Sequence, residues 1–247
     1  MYITSTNSTN TLLREMLAKG EWPADERFLR AGFQIAGRGQ TGNGWESEAD
    51  KNILCSVLLP PRENLFDLNV IVSVAVHRMV SRKLIDKSRQ LTIKWPNDIY
   101  WQDKKVAGIL IENAIIGSEL KYSIAGIGLN VNQSEWYSDA ANPVSMKQIT
   151  GKDCDIAELM QLLLNELDKA LQEDVWDYYK THLYRREGFW PFVEREVSVA
   201  PTMNASSMAQ GQFKARIEDV LTTGEIVLRD EQNNQRKYHF KQIRYIL

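Results

Sequence analysis

Cysteine and histidine are both scarce in this chain. Among 247 residues there are two cysteines, Cys55 and Cys154, and three histidines. The cysteines lie far apart and neither has a metal-ligating neighbour at useful spacing, so no cysteine-based metal centre organises the chain. Cys55 sits inside an apolar run, where a buried thiol is the expected use. An excess of one charge is missing too: the net charge is -2, which gives no broad attraction to nucleic acid or an anionic membrane. No segment approaches the length of a membrane-spanning helix. Met1-Tyr2-Ile3-Thr4-Ser5 lacks the basic and apolar regions of a signal peptide. Low-complexity tracts and structural repeats are also lacking. These absences lead us to expect a cytoplasmic protein without membrane attachment. What is present is ordinary for a globular chain of one or two domains, with 43% hydrophobic and 25% charged residues.

Hydrophobic periodicity outlines the elements. Residues 1–6 read as a short strand. Leu12, Leu13, Met16 and Leu17 mark one face of a helix that follows Ser8-Thr9-Asn10 and stops at Gly20 and Pro23. Phe28–Ala36 and Asn52–Leu59 are strands, the latter halted by Pro60-Pro61. Leu65–Ile85 is a long helix; His77 within it has no carboxylate or cysteine partner nearby and reads as a packing or surface residue. Leu91–Trp95 is a strand closed by Pro96. Ile99–Trp101 and Val106–Ala114 form a hairpin around the turn Gln102-Asp103-Lys104-Lys105, and Leu120–Val131 adds a further strand. Pro143–Gly151 reads as a loop. Asp155 caps a helix reaching about Leu171, and a second helical piece runs near Val175–Tyr184. Past Trp190-Pro191 come short strands, Glu196–Ala200, Phe213–Val220, Glu225–Leu228 and Lys237–Ile246. The pattern predicts an α+β fold: a mixed, largely antiparallel sheet flanked by helices over 1–193, then a small β-barrel over 194–247.

Two stretches carry the chemistry. The first, Gln34-Ile35-Ala36-Gly37-Arg38-Gly39-Gln40-Thr41-Gly42-Asn43-Gly44-Trp45, packs four glycines and an arginine into twelve residues. Gly37-x-Gly39-x-x-Gly42 matches the dinucleotide-binding fingerprint in letters only, because no helical period follows the glycines. The stretch is a loop carrying its own cation, suited to closing over an anionic ligand; an ordinary surface loop with an incidental arginine fits this stretch equally well.

The second stretch is Lys94-Trp95-Pro96-Asn97-Asp98, followed by Lys105, by Gly108-Ile109-Leu110-Ile111-Glu112, and by Gly126-Ile127-Gly128-Leu129-Asn130-Val131-Asn132. With the GRG…W of the loop, in this order and spacing, these motifs resemble biotin–protein ligases from Ser8 to the C-terminal strands. The resemblance implies a catalytic domain like that of class II aminoacyl-tRNA synthetases and an SH3-like C-terminal barrel. It implies two steps, in which biotin and ATP give biotinyl-5′-AMP and a lysine of a biotin carboxyl carrier domain then takes the biotin. Magnesium is expected with ATP, through ligands the sequence does not identify.

Joining two anions calls for fixed positive charge, and the resemblance assigns it to Arg38 and Lys105, leaving Lys104 as a solvated turn lysine. It places Ser8, Thr9, Asn10 and Gln34 around biotin, although any of the first three also suits a helix N-cap. Gly37, Gly39 and Gln40 belong to the ligand loop, and Asn97 and Gly108 to the same site. Gly126 and Gly128 let backbone approach the ligand. Trp45 offers a surface for adenine, or else anchors the core, and Asn130 offers an amide to the base. Asp98 is expected to accept or orient the amine proton; a turn-stabilising role after Pro96 is the plainer alternative. Gln40, Thr41 and Asn43 stand where many members carry further basic residues, which either weakens the hold on the adenylate or leaves that task to backbone amides; amide-rich versions of the loop also occur. Ser8-Thr9-Asn10 comes so early that no helix-turn-helix is expected upstream, hence no DNA binding. Monomer and homodimer are both compatible. A lipoate–protein ligase and a non-catalytic biotin-binding protein are the alternatives.

Overall fold

The computed structural model describes all residues except 41–42, 118, 139–141, 196–210 and 247. Seven strands build the larger sheet: β1 (Tyr2–Thr6), β2 (Phe28–Gln34), β3 (Ile53–Leu59), β4 (Leu91–Lys94), β5 (Asp98–Trp101), β6 (Lys104–Ile116) and β7 (Glu119–Leu129). Their spatial order is β1-β2-β3-β7-β6-β5-β4; β1 and β2 are parallel and every other pair is antiparallel. The mixed, largely antiparallel sheet is therefore as expected.

Period-two alternation divides the two faces of this sheet. Ile53, Cys55, Val57 and Leu59 of β3, with Ala125, Ile127 and Leu129 of β7, join the main core. Over that face lies α2 (Leu65–Leu84), backed by α4 (Ile156–Gln172), with α5 (Trp176–Thr181) beside it. The intervening residues face the other way, where α1 (Thr9–Lys19) packs Leu13 against Leu29 and Ile124 in a smaller core. Cross-strand register aligns Ser56, Gly126 and Leu110 in one row, and Leu54, Gly128 and Gly108 in the next. Small residues thus leave a shallow floor beside α1 on an otherwise covered face.

Helix ends follow local chemistry. Asp155 Oδ1 accepts from the Ala157 and Glu158 amides at the start of α4, a cap worth about 1 kcal/mol. Gly20 closes α1 in the left-handed region at φ 70°.

The smaller sheet consists of β8 (Trp190–Glu194), β9 (Gln212–Val220), β10 (Ile226–Asp230), β11 (Gln235–Tyr238) and β12 (Ile243–Tyr245), in the order β11-β10-β9-β8-β12. It is antiparallel throughout. Four sequence expectations need correction. The short strands do not wait until after Trp190-Pro191: both residues lie within β8, so this sheet begins before residue 194. The strand expected over Lys237–Ile246 is two strands, because Lys241 takes φ 74° and the chain turns between His239 and Gln242. Pro143–Gly151 includes a short helix, α3 (Met146–Thr150), started by reciprocal Ser145–Gln148 capping bonds. Lys104 and Lys105 open β6 instead of lying in the turn. The strand expected at Glu196–Ala200 falls outside the described residues.

Candidate functional site

The small-residue floor opens into a cleft of about 440 Å³ between the larger sheet, the glycine loop and one edge of the second sheet. Ser8, Thr9, Asn10, Gln34, Arg38, Gly39, Gln40, Trp45, Asn97, Asp98, Lys105, Gly108, Gly126 and Gly128 all line it. Gly37 and Asn130 do not. Gly37 forms the neck of the loop, where its carbonyl accepts from the Trp45 amide at 2.8 Å and a Cβ would stand 2.5 Å from the Trp45 carbonyl. Asn130 is buried behind the wall, its Nδ2 directed at the Lys105 and Val144 carbonyls at 3.3 and 3.4 Å. It supports the backbone beneath Lys105.

One end of the cleft is neutral and closely hydrogen-bonded. The Thr9 amide and hydroxyl both donate to Gln34 Oε1, at 2.8 and 3.1 Å. Ser56, buried on β3, meets Thr9 Oγ1 at 2.7 Å and Asn10 Oδ1 at 2.5 Å. Asn10 Nδ2 donates to Glu112 Oε2 at 2.8 Å, and a Cβ on Gly126 would lie 2.5 Å from Asn10 Oδ1. Gly126 therefore makes room for Asn10. Ser8 occupies the N-cap position of α1 yet makes no side-chain cap bond, which leaves its hydroxyl to the cleft.

The loop itself is a tight turnback with no helix after it. Gly39 N donates to Asn43 O at 2.9 Å, and Arg38 pairs with Gly44 as an antiparallel bridge. This geometry removes the dinucleotide fingerprint; Thr41 and Gly42 are outside the described residues. The Arg38 guanidinium turns to Thr11 Oγ1 at 2.9 Å and Glu112 at 3.3 Å, tying the loop to α1 and β6. Gln40 Nε2 reaches Asn97 Oδ1 at 2.9 Å, and Asn97 in turn reaches Asn69 of α2. Trp45 lies over Gly108 and Gly128, where added Cβ atoms would come within 2.9 and 2.4 Å of its ring. Those glycines accommodate the indole.

The other end is cationic. Lys105 Nζ pairs with Asp98 Oδ1 at 2.7 Å and lies 5.6 Å from the Trp45 ring centroid. Lys104 is exposed and off the wall. Lys94 adds a second ammonium, and Arg195, Lys241 and Arg244 approach from the second sheet. Across the described lining, six cations (these five and Arg38) meet one carboxylate, Asp98. In a chain of net charge -2 that concentration makes this end of the cleft locally electropositive. Trp95 helps fix the second sheet here, its Nε1 donating to Gly224 O at 3.1 Å.

Sequence reasoning left several contributors unassigned. Lys94 and Glu112 stood inside quoted motifs without a role. Ser56 was visible only as a hydroxyl interrupting an apolar strand, and the second-sheet cations carried no local signal. His77 is remote from the cleft: it contacts Tyr178 and the Leu91 carbonyl, and burial lowers its pKa to about 4. Among the described residues no group of three or more His, Cys, Asp or Glu side chains could hold a metal. None of the described helices is long and apolar enough to cross a membrane.

Fold and site together define a protein with a cation-lined cleft on the open face of a mixed sheet. The model of the biotin/lipoate A/B protein ligase family matches residues 2–130, just over half of the chain, and the chain belongs to that family. It is 27% identical over 194 residues to the bifunctional ligase/repressor BirA of Escherichia coli, covering 76% of this chain and 55% of that protein. It is 30% identical to a biotin–[acetyl-CoA-carboxylase] ligase of Paracoccus denitrificans, covering 64% of this chain and 67% of the relative. The chain thus spans little more than half the length of the first of these. A biotin protein ligase structure from Aquifex aeolicus, in complex with biotin and ATP, has the same fold, with TM-score 0.76 and 22% identity over 100% of this chain and 98% of that one.

Proposed function

We propose that this chain is an ATP-dependent biotin–protein ligase. The observation that carries the reading is one cleft with a neutral hydroxyl–amide end and a cationic end. Biotin's ureido group matches the neutral end, where Ser8, Thr9, Asn10 and Gln34 converge, and ATP phosphates match the cationic end. A carboxylate oxygen of biotin attacks the α-phosphorus of ATP; the bond to the β-phosphate breaks and pyrophosphate leaves. A lysine nitrogen of a biotin carboxyl carrier domain then attacks the biotinyl carbonyl, AMP departs, and the amine proton passes to a base.

Lys105 stands where it can neutralise both anions in the first step, and Asp98 beside it is the carboxylate able to take the proton in the second. Arg38 supports the loop through Thr11 and Glu112, with its guanidinium able to turn toward the anion when ligand arrives. Trp45, half-buried and seated on the two glycines, lines the cleft where adenine can pack against it. Gly37, Gly39 and Gln40 shape the loop, Asn97 and Asn130 support it and Lys105 from behind, and Gly126 admits Asn10. Magnesium would be held chiefly by phosphate oxygens and water, since Asp98, the one carboxylate of the described lining, is paired with Lys105. Residues 1–189 act in this reading as the catalytic part and 190–247, which open with β8, as the covering part.

The test is pyrophosphate exchange into ATP by the purified protein, with biotin, lipoate or neither. Exchange that needs biotin and disappears in Lys105→Ala supports the reading. Exchange driven by lipoate alone, or none with either acid, overturns it.

A further inference from the structure

Asn69 is a half-buried polar residue of α2, set between the fully buried Leu68 and Val70, and neither end of the cleft makes direct use of it. Its Oδ1 accepts from Asn97 Nδ2 at 2.9 Å, and Asn97 Oδ1 accepts from Gln40 Nε2 at 2.9 Å. Asn97 is itself buried, and the turn that carries it is held from α5, where Tyr179 Oη donates to the Pro96 carbonyl at 2.7 Å. The chain of three amides therefore has a direction. With its NH2 group engaged by Asn69, Asn97 presents its oxygen to the glycine loop. That oxygen suits a donor and repels a phosphate, and the donor it meets is the Gln40 amide.

We infer that Asn69 is a positioning residue for the glycine loop: it sets the orientation of the Asn97 amide so that Asn97 fastens Gln40 and does not serve as a ligand of the anion. The consequence for the adenylate rests on the proposed function, and the fastening itself rests on the amide geometry alone. The loop is also tied by Arg38 to Glu112, a pair of partly exposed groups whose attraction weakens as salt rises. Hydrogen bonds between neutral amides are not screened in this way, and burial of Asn97 keeps water from competing for them. Gln40, uncharged where many members of the family carry a basic residue, thus contributes a hold on the loop that ionic strength does not loosen.

The experiment follows hydrogen exchange of the Gly39, Asn43 and Trp45 amides in the free chain, which bond to the Asn43, Gln40 and Gly37 carbonyls and so report on the loop. Wild type is compared with Asn69→Leu, Asn69→Asp, Gln40→Ala and the double variant of Asn69→Leu with Gln40→Ala, and exchange in the middle of α2 checks folding. Losing one hydrogen bond of the chain predicts roughly 3- to 10-fold faster exchange in Asn69→Leu and in Gln40→Ala. The double variant should exchange no faster than Gln40→Ala, because Asn69 acts through Asn97 on Gln40. Asn69→Asp keeps an acceptor for Asn97 Nδ2 and should stay near wild type. The ratio between wild type and Asn69→Leu should be the same at low and high salt. Biotinyl-5′-AMP formed from biotin and ATP should leave Asn69→Leu faster by a similar factor, while biotin alone binds within about twofold of wild type. Loop exchange unchanged in either folded single variant, or accelerations that multiply in the double variant, overturns the inference. A wild type that forms no adenylate overturns the proposed function, and the exchange rates still decide the fastening.

Discussion

The two ends of the cleft are built on opposite principles. At the neutral end nearly every polar group already has a partner: Ser56 holds Thr9 and Asn10, Gln34 receives Thr9, and Glu112 receives Asn10. That end contributes to folding before any ligand arrives. At the cationic end Lys94, Arg195, Lys241 and Arg244 have no ion-pair partner among the described residues, and Lys94 is held against tyrosines, not carboxylates. Arg195, Lys241 and Arg244 are exposed, so the cost to the empty fold falls on the largely buried Lys94, where an anion would relieve it. Substitution at the neutral end should therefore weaken both stability and biotin binding. At the cationic end it should remove function while leaving stability equal or improved.

The largest effect expected is from Lys105→Ala. Removing a cation that meets both reacting anions should lower exchange by roughly 100- to 1000-fold, with a thermal midpoint near wild type because its pair with Asp98 is partly solvated. A large drop in melting temperature would erase the contrast between the ends. Next comes Gly126→Ala. A Cβ 2.5 Å from Asn10 Oδ1 must push that side chain off Ser56 and Glu112, so biotin affinity should fall about 10-fold or more and stability by about 1–3 kcal/mol. Calorimetric titration with biotin and denaturant melts would measure both; nucleotide affinity should change less than biotin affinity. Ser56→Ala is milder, a loss of about 1–2 kcal/mol in denaturant melts with a modest rise in the KM for biotin, since the ligand never touches the buried hydroxyl.

This contrast also explains how far the sequence could be read. The apolar alternation of Ile53–Leu59, the helical period of Leu65–Leu84 and the Gly20 and Pro96 stops are local signals, so the larger sheet and its helices were legible. The glycine loop and the KWPND stretch pointed to side chains that the fold gathers around one cleft. What lay hidden depends on distant pairing. Ser56 matters because it meets Thr9 and Asn10, 47 and 46 residues away, and nothing in its neighbourhood announces that. Gly126 and Gly128 read as openings for ligand, but their space is taken by Asn10 and Trp45. Arg195, Lys241 and Arg244 become site residues only through docking of the second sheet, which residue spacing cannot express.

The smallest effect is the sharpest test of the comparison, because its sign is unusual. Lys94→Met keeps the length of an apolar stem among Tyr100, Tyr184 and Tyr245 while removing the ammonium. The charged form is disfavoured in the fold, since burial draws the pKa down to about 8 from the free-lysine value near 10.4. Below about 8 the ammonium is charged in both folded and unfolded chains, and its full desolvation penalty opposes folding. Between there and ~10.4 the unfolded chain holds the proton that the folded chain has released, and stability rises with pH. Above that range both forms are neutral and the penalty is gone. Loss of the Tyr100 hydrogen bond offsets part of the gain, leaving Lys94→Met more stable than wild type by roughly 1 kcal/mol at neutral pH, or a melting temperature about 2–4 °C higher. Paired thermal melts should show this gap narrowing as pH rises through that window, and saturating pyrophosphate should reverse it by stabilising the wild type more. A variant less stable than wild type at neutral pH would mean that the tyrosine cage already satisfies the ammonium, and the two ends would then be alike.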